Sequence, residues 1–257
     1  MFFALKSYFN FLLKSTNQHG VHSPFVFDLV TKCFYDKTEF PEYKILKKYR
    51  KSLLSNHETI EVTDFGAGSR IFKSNIRKVS DIAKTAGISK KRAELLFRVM
   101  KYFKPKNVLE IGTSLGLATS ALAVGNENSE ITSLEGCAQT SNVAQKNLHD
   151  FKLKNVRTIV SEFETGLLEF RLSTFDLIYF DGNHQKDATL RYFDLLLPTT
   201  TNDSVWIFDD IHWSEQMTEA WEIIKQNPKV TVTIDTFQWG FVFFRKEQEK
   251  ENFTIRA

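Results

Sequence analysis

The chain has 257 residues, 42% of them hydrophobic and 25% charged, with a formal net charge of +3. A chain of this length and composition can bury a large hydrophobic core, which excludes a disordered protein. The charge is unevenly distributed, because residues 1–107 contain 21 Lys and Arg against 9 Asp and Glu, whereas residues 108–257 contain 13 against 22. A basic and an acidic region in one chain predict two different roles.

The cysteines and the N-terminus indicate a cytoplasmic protein. Cys33 and Cys137 are too few for a disulfide framework, which favours a reducing compartment. Residues 1–13 are rich in aromatic side chains but are too short and too polar to cross a bilayer, so we expect no membrane span. A helix lying on a membrane surface is conceivable, but packing against the main domain is the favoured interpretation.

The first 80 residues are predicted to form a mainly helical extension. Helical periodicity covers residues 2–13, 24–33 and 42–54, and the polar segment 59–80 predicts a basic, Gly-containing hairpin or loop. A soft boundary near residue 80 separates this extension from a domain over residues 81–257.

Two segments of the basic region are similar to functional motifs. Residues 64–69 (DFGAGS) resemble a nucleotide-binding loop, but Arg70 and further basic residues follow instead of an apolar helix, so a basic Gly turn is predicted. Residues 80–98 resemble a DNA-binding helix-turn-helix, with Gly87 in the turn and Ser89 capping the second helix. Because this segment runs directly into the first strand of the next region, a lead-in helix that covers the ligand site is favoured.

From residue 107 onward, short apolar runs alternate strictly with segments of helical period. This alternation predicts an α/β fold with right-handed crossovers and a mostly parallel, Rossmann-like sheet. The last two runs have only a short turn between them and predict an antiparallel C-terminal hairpin. The predicted strands are 108–111, 130–134, 156–160, 175–180, 204–208, 230–234 and 239–244, seven in all.

The strongest local motif is residues 108–119 (VLEIGTSLGLAT), in which a buried strand turns tightly into a helix. Gly112 and Gly116 allow close approach of a ligand to the backbone. Their spacing is not that of a dinucleotide fingerprint, and Glu110 beside the turn would repel a pyrophosphate but suits a cationic ligand. Glu135, about 20 residues beyond the loop, is placed to accept hydrogen bonds from ribose hydroxyls. S-adenosylmethionine has both kinds of group, since its ammonium and sulfonium are cationic, as Glu110 requires, and its ribose has hydroxyls that Glu135 can bind.

Residues 90–245 resemble class I S-adenosylmethionine-dependent methyltransferases, most closely the catechol- and caffeoyl-CoA-type O-methyltransferase branch. Residues 19–27 are similar to the N-terminal segment of an uncharacterised bacterial subgroup of methyltransferase-like proteins. The motifs that produce the main resemblance are residues 109–116 (LEIGTSLG), Leu134 with Glu135, residues 175–184 (FDLIYFDGNH) and residues 206–210 (WIFDD).

The resemblance implies a set of cofactor-binding residues. The first motif would hold the methionine portion, Glu135 the ribose, and the segment after the third strand, which begins at Ser161, the adenine. The implied set is Glu110, Gly112, Thr113, Ser114, Gly116, Glu135, Gly136, Glu162, Phe163 and Asp181.

The resemblance also implies a catalytic group after the fourth and fifth strands. In metal-dependent members an Asp, Asp and Asn set binds a divalent cation, and the corresponding positions here are Asp181, Asp209 and Asp210. The third Asp departs from the pattern, although three carboxylates suit Mg²⁺. His184 stands where catechol-type enzymes have a lysine base, and with Asp181 it is the predicted catalytic pair. His212 is a second candidate base.

These observations favour methyl transfer from S-adenosylmethionine to an oxygen of a small molecule or nucleoside. Two alternatives stay open: an RNA methyltransferase that grips phosphate with its basic first 107 residues, and a non-enzymatic DNA-binding regulator with a ligand-sensing α/β domain. A homodimer is compatible with either enzyme.

Overall fold

A computed structural model describes residues 2–66, 68 and 72–257 of the chain. Four positions of the predicted basic Gly turn, Arg70 among them, lie outside the described residues. Contacts divide the chain into two compact units: a central unit, Asp36–Gly166, and a terminal unit that joins the residues up to Tyr35 with Leu167–Ala257. The domain boundary near residue 80 stays a prediction.

The helices follow the predicted periodicity, with ends shifted by a few residues. The segment predicted as one helix over residues 24–33 is a short α-helix, capped by the Ser23 hydroxyl, that continues as a π-helical turn over Val30–Phe34. In chain order the α-helices are α1 (Phe2–Lys14), α2 (Pro24–Leu29), α3 (Tyr43–Leu54), α4 (Val79–Thr85), α5 (Lys90–Phe103), α6 (Leu117–Gly125), α7 (Ala138–Asp150), α8 (Phe163–Glu169), α9 (Lys186–Leu196) and α10 (Glu215–Gln226).

The strands include all seven that were predicted, a hairpin in the extension and one strand that the sequence did not reveal. The additional strand, Glu251–Thr254, buries Phe253 and has exposed residues at its start, so its sequence shows no apolar run. The strands are β1 (Thr59–Glu61), β2 (Ile76–Lys78), β3 (Asn107–Ile111), β4 (Glu130–Glu135), β5 (Val156–Val160), β6 (Leu177–Phe180), β7 (Val205–Asp209), β8 (Val232–Asp235), β9 (Trp239–Phe243) and β10 (Glu251–Thr254).

Strand pairing in each unit confirms the α/β class with mostly parallel strands. In the central unit β4 pairs in parallel with β3 and with β5, while β1 and β2 form a separate antiparallel hairpin. In the terminal unit the order is β10-β8-β9-β7-β6. There β6 and β7 are parallel, β8 and β9 form the predicted antiparallel hairpin, and β10 adds in parallel beside β8.

The segment that resembles a helix-turn-helix consists of α4, a turn at Gly87, and α5. The Gly87 turn packs against Leu117 at the start of α6, where a Cβ at position 87 would lie 2.1 Å from a Leu117 methyl carbon. On α5, the side chains of Leu96, Phe97 and Met100 are buried. A DNA-reading helix must present a face to a groove, so this burial favours the lead-in interpretation.

Helix α1 packs against the terminal unit through one face, as expected. Tyr8 and Phe11 contact the ring of Phe237, with ring centroids 4.9 and 5.5 Å away. The opposite face exposes Leu5 and Phe9. No helix in the described part of the chain is long and apolar enough to cross a membrane.

Candidate functional site

The turn between β3 and α6 is built on left-handed backbone conformations. Gly112, Ser114 and Gly116 have φ angles of 104°, 48° and 78°. The amides of Gly112 and Thr113 both donate to the carbonyl oxygen of Leu134 on β4, at 2.9 and 3.0 Å. The turn is therefore fixed to the neighbouring strand before any ligand arrives.

Gly116 is required by space as well as by conformation. A Cβ at this position would lie 2.4 Å from the hydroxyl oxygen of Tyr49 on α3. Tyr49 is fully buried, and its hydroxyl donates to the carbonyl oxygen of Leu115 at 3.0 Å. The N-terminal extension thus supports the Gly turn directly.

Glu110 is a fully buried carboxyl group on β3. Its Oε2 atom accepts hydrogen bonds from the hydroxyls of Thr119 and Ser133, at 2.6 and 2.5 Å, whereas Oε1 has no hydrogen-bond partner among the described residues. Burial raises its pKa to about 8, although the two hydroxyls oppose the shift. A buried acceptor oxygen without a partner is costly, and a cationic ligand group would satisfy it.

Glu135 ends β4 and is held by backbone amides. Its Oε2 accepts from the amide of Ser114 at 2.7 Å, and its Oε1 accepts from the amide of Cys137 at 2.9 Å. Burial raises its pKa, the backbone donors oppose that shift, and the carboxylate of Asp64 adds to it. The amide of Gly136 also donates to this carboxylate, which can accept about four hydrogen bonds in all, so Glu135 can still accept one from a ligand hydroxyl.

The residues expected around the adenine lie beside Glu135. The amide of Ser161 donates to the Glu135 carbonyl oxygen at 3.0 Å. Phe163, at the start of α8, is buried, whereas Glu162 is exposed. Gly136 packs against the ring of Phe65, from the loop after β1.

In the terminal unit, two of the three predicted aspartates are neighbours. The register of β6 and β7 pairs Phe180 with Phe208, so Asp181 and Asp209 follow at the same edge. The hydroxyl of the buried Tyr179 lies 3.1 Å from Asp209 Oδ2 and 3.3 Å from Asp181 Oδ2. A hydroxyl has one proton to donate, so Tyr179 links the two carboxylates.

The segments that follow these strands contain several left-handed non-glycine residues: Asn183, His184 and Asp210, with φ angles of 72°, 47° and 55°. His184 Nε2 lies 3.6 Å from Asp181 Oδ1. His184 also borders a cavity of about 10 Å³, which has room for about one water molecule. Such strained residues are common at functional sites.

His212 is held as a structural residue. Its Nε2 lies 2.8 Å from Asp235 Oδ2 and its Nδ1 lies 3.2 Å from the Thr218 hydroxyl, while its ring stacks on Phe237. With both nitrogens in hydrogen bonds, it is a weaker candidate for a general base than His184.

The three aspartates do not assemble a metal-binding group. Within the described residues, no cluster of three or more His, Cys, Asp or Glu side chains could hold a metal ion. Asp209 Oδ1 instead accepts from the amide of Asp210 at 2.8 Å. The Mg²⁺ site stays a prediction, and no catalytic step is derived through it.

Three aromatic residues at these sites were not predicted from the sequence to have functional roles. They are Tyr179, which lies inside the predicted strand 175–180, together with Tyr49 and Phe65. The sequence does contain a signal for Tyr179, because Tyr179 lies two residues before Asp181, the acid that follows the predicted strand. For Tyr49 and Phe65 the sequence offers no such signal, because both approach the Gly turn and Glu135 only through the folding of the extension.

Comparison with known proteins gives an independent view of the fold. Residues 109–211 match a family model described as a methyltransferase domain. The SAH-bound methyltransferase PaMTH1 of Podospora anserina is 14% identical, with a TM-score of 0.64 over 88% of this chain and 97% of its own. A putative caffeoyl-CoA O-methyltransferase of Staphylococcus aureus is 18% identical, with a TM-score of 0.56 over 64% and 88%. An O-methyltransferase of Bacillus cereus in complex with SAH is 17% identical, with a TM-score of 0.54 over 82% and 93%.

Proposed function

We propose that this chain, whose residues 109–211 match a family model described as a methyltransferase domain, transfers a methyl group from S-adenosylmethionine to an oxygen of a small molecule or nucleoside. The observation that supports the cofactor most directly is the buried Oε1 of Glu110, which has no partner among the described residues. Structures of similar fold have been determined with SAH or SAM bound, which supports the same cofactor.

The residues of the central unit fit such a cofactor in charge and in shape. Glu110 and the Gly112–Gly116 turn would hold the cationic methionine portion, since the turn brings backbone close to the ligand and the acid offers a free acceptor oxygen. Glu135 would accept from a ribose hydroxyl through its remaining lone pair. When bound, S-adenosylmethionine supplies a methyl group on a sulfonium to the acceptor oxygen.

His184 is the proposed general base in the terminal unit. Its imidazole would accept the proton of the acceptor hydroxyl, and Asp181, 3.6 Å away, would stabilise the imidazolium that results. Tyr179 would hold Asp181 in place through its hydroxyl. Alignment of acceptor and donor is the other contribution that the site makes to the rate.

The cofactor assignment is tested by isothermal titration with S-adenosylhomocysteine. We expect Glu110→Ala and Glu135→Ala each to weaken binding about ten- to 100-fold, because each removes a carboxyl group that can accept hydrogen bonds from the ligand. Glu130→Ala is the matched control, since Glu130 is an exposed acid on β4 at the end of the strand opposite to Glu135. Unchanged affinity in both site variants, with melting curves like the wild type, would contradict the proposal.

The acceptor atom is tested by methyl transfer from radiolabelled S-adenosylmethionine to a panel of catechols, other phenols and nucleosides. Mass spectrometry of the product locates the new methyl group. O-methylated products support the proposal, whereas exclusive N- or C-methylation contradicts it.

A cytoplasmic location is part of the proposal. Cys33 and Cys137 are both buried, and two cysteines are too few for a disulfide framework, which suits a reducing compartment. Fractionation of cells of the source organism, with antibody detection of the chain, is the direct test.

RNA is a second candidate acceptor, because α3 presents a basic face. Four lysines at helical spacing are exposed on it, while Tyr49 and Leu53 on its other face are buried. The four are Lys44, Lys47, Lys48 and Lys51. If this face binds RNA, the affinity for RNA should fall steeply as the salt concentration rises. Substitution of the four lysines by Gln should reduce the slope of log affinity against log salt concentration. A flat salt series in filter binding would leave the small-molecule acceptor as the only candidate.

A further inference from the structure

The loop after β1 is attached to the turn that carries Glu135. The amide of Glu61 donates to the side-chain oxygen of Gln139 on α7 at 2.9 Å, and the amide of Thr63 lies 3.4 Å from Cys137 Sγ. The Cys137 thiol in turn lies 3.7 Å from the Glu61 carbonyl oxygen. Residues 61–63 are therefore docked on the start of α7, directly after Glu135.

The ring of Phe65, two residues after this docked segment, fills the space that a side chain at position 136 would need. Gly136 follows Glu135, and a Cβ built on it would lie 2.6 Å from Cδ2 of the Phe65 ring. Position 136 can have no side chain while Phe65 is there. An aromatic ring from the N-terminal extension thus lies against Gly136, the residue directly after Glu135.

The ring is not simply buried in a core. Phe65 is 48% exposed, although one part of it packs on Gly136. A ligand that covers the exposed part of this ring would gain free energy by removing apolar surface from water. Asp64, the preceding residue, is close enough to influence the pKa of Glu135. Phe65 and Asp64 both border the acid proposed to bind ribose.

We propose that Phe65 is a cofactor-binding residue that contributes an aromatic contact for the adenosine moiety, in place of the side chain absent at position 136. This inference rests on the proposed function, because it takes Glu135 as the ribose-binding acid. Base and ribose are joined, so a ligand anchored on Glu135 brings its adenine close to the Glu135–Cys137 turn. Aromatic rings bind nucleobases by stacking with little dependence on orientation within the plane.

The test measures two ligands that share adenosine but differ in the amino-acid portion. S-adenosylhomocysteine and 5′-methylthioadenosine are titrated into wild type, Phe65→Ala and Phe65→Leu. We expect Phe65→Ala to weaken both ligands by the same factor, about tenfold, and Phe65→Leu to weaken both less. Ile76→Ala is the matched control, because Ile76 is an exposed apolar residue of the same hairpin. It should bind both ligands as the wild type does.

A second measurement distinguishes a Phe65 ring that contacts the ligand from one that only packs against Gly136. Gly136→Ala should lower the melting temperature in the wild type, where the ring collides, and much less in Phe65→Ala, where it is gone. If Phe65→Ala leaves both affinities unchanged while the effect of Gly136→Ala on the melting temperature depends on Phe65, then Phe65 only fills space and the inference is overturned. If it weakens S-adenosylhomocysteine alone, the adenosine contact is also refuted. Failure of the wild type to bind S-adenosylhomocysteine would refute the proposed function itself.

Discussion

The acids of the central unit and those of the terminal unit are held in different ways. Glu110 and Glu135 lie on strands and accept hydrogen bonds from hydroxyls and backbone amides that the fold fixes in advance. Asp181 follows β6 directly, and Asp209 is the last residue of β7. Both lie within hydrogen-bonding distance of the Tyr179 hydroxyl, and the segments after them contain residues with left-handed backbone. The first arrangement has the rigidity that the proposed cofactor site requires.

The difference agrees with the separate roles proposed for the two units. A cofactor common to many acceptors needs a rigid site, which strands and a tight turn provide. The residues after β6 and β7 lie in turns, where binding and catalytic residues are commonly found and where variation is tolerated. We therefore expect substitutions in the central unit to affect folding and cofactor affinity, and those in the terminal unit to affect turnover.

The largest expected effect on stability is that of Gly116→Ala. Alanine must adopt a φ of 78° and would also collide with the Tyr49 hydroxyl, so we expect a loss of about 2–5 kcal/mol in the free energy of unfolding. Gly68→Ala is a matched control, because Gly68 has a φ of 77° but no atom of the described residues within 4 Å of its Cβ position. Urea unfolding of both should show a loss of only about 1–2 kcal/mol for Gly68→Ala. Equal losses would show that Tyr49 does not restrict the turn.

The second prediction concerns turnover in the terminal unit. His184→Asn should lower kcat by about 100-fold with the acceptor identified by the methyl-transfer panel, and leave S-adenosylhomocysteine affinity unchanged. His212→Asn is the control, since its ring nitrogens bind Asp235 and Thr218; it should reduce stability more than kcat. A kcat equal to that of the wild type in His184→Asn would exclude His184 as the base.

A third prediction tests the link between the two aspartates. Tyr179→Phe removes a donor from the buried Asp209 carboxylate and should cost about 1–3 kcal/mol of unfolding free energy. Tyr192→Phe removes a hydrogen bond from the neutral Asn183 amide instead, so a smaller loss is expected. Thermal and urea unfolding of both variants compare the two, and a larger loss in Tyr192→Phe would contradict the assignment.

The last prediction concerns the pH dependence that Glu110 gives to the free energy of unfolding. Because burial raises its pKa from 4.5 to about 8 in the folded chain, the folded state binds the proton more tightly than the unfolded state. Its contribution to stability is therefore present below pH 4.5 and is lost as the pH rises to about 8. Glu110→Gln should flatten this part of the stability profile measured by urea unfolding between pH 4.5 and 8. An unchanged slope would show that Glu110 is not protonated in the folded protein.

The strand pattern and the Gly turn were predictable because their causes are local. Alternating apolar runs and helical segments predicted β3 to β9 and the C-terminal hairpin, and Gly112, Gly116 and Glu110 stand in one continuous motif. Strand β10 was missed because an edge strand with one buried residue needs no apolar run. The π-helical turn after α2 was missed because residues 24–33 have an unbroken helical period.

The sequence by itself determined the α/β class, the position of the Gly112–Gly116 turn and the acids at or near the strand ends, since hydrophobic period and glycine placement act within a few residues. Only the tertiary structure decided what surrounds them: Tyr49 against Gly116, Phe65 against Gly136 and Tyr179 between two aspartates. The first two contacts join residues 67 and 71 positions apart in the chain. Packing of that kind depends on how whole elements fold together, and no local pattern of residue types records it.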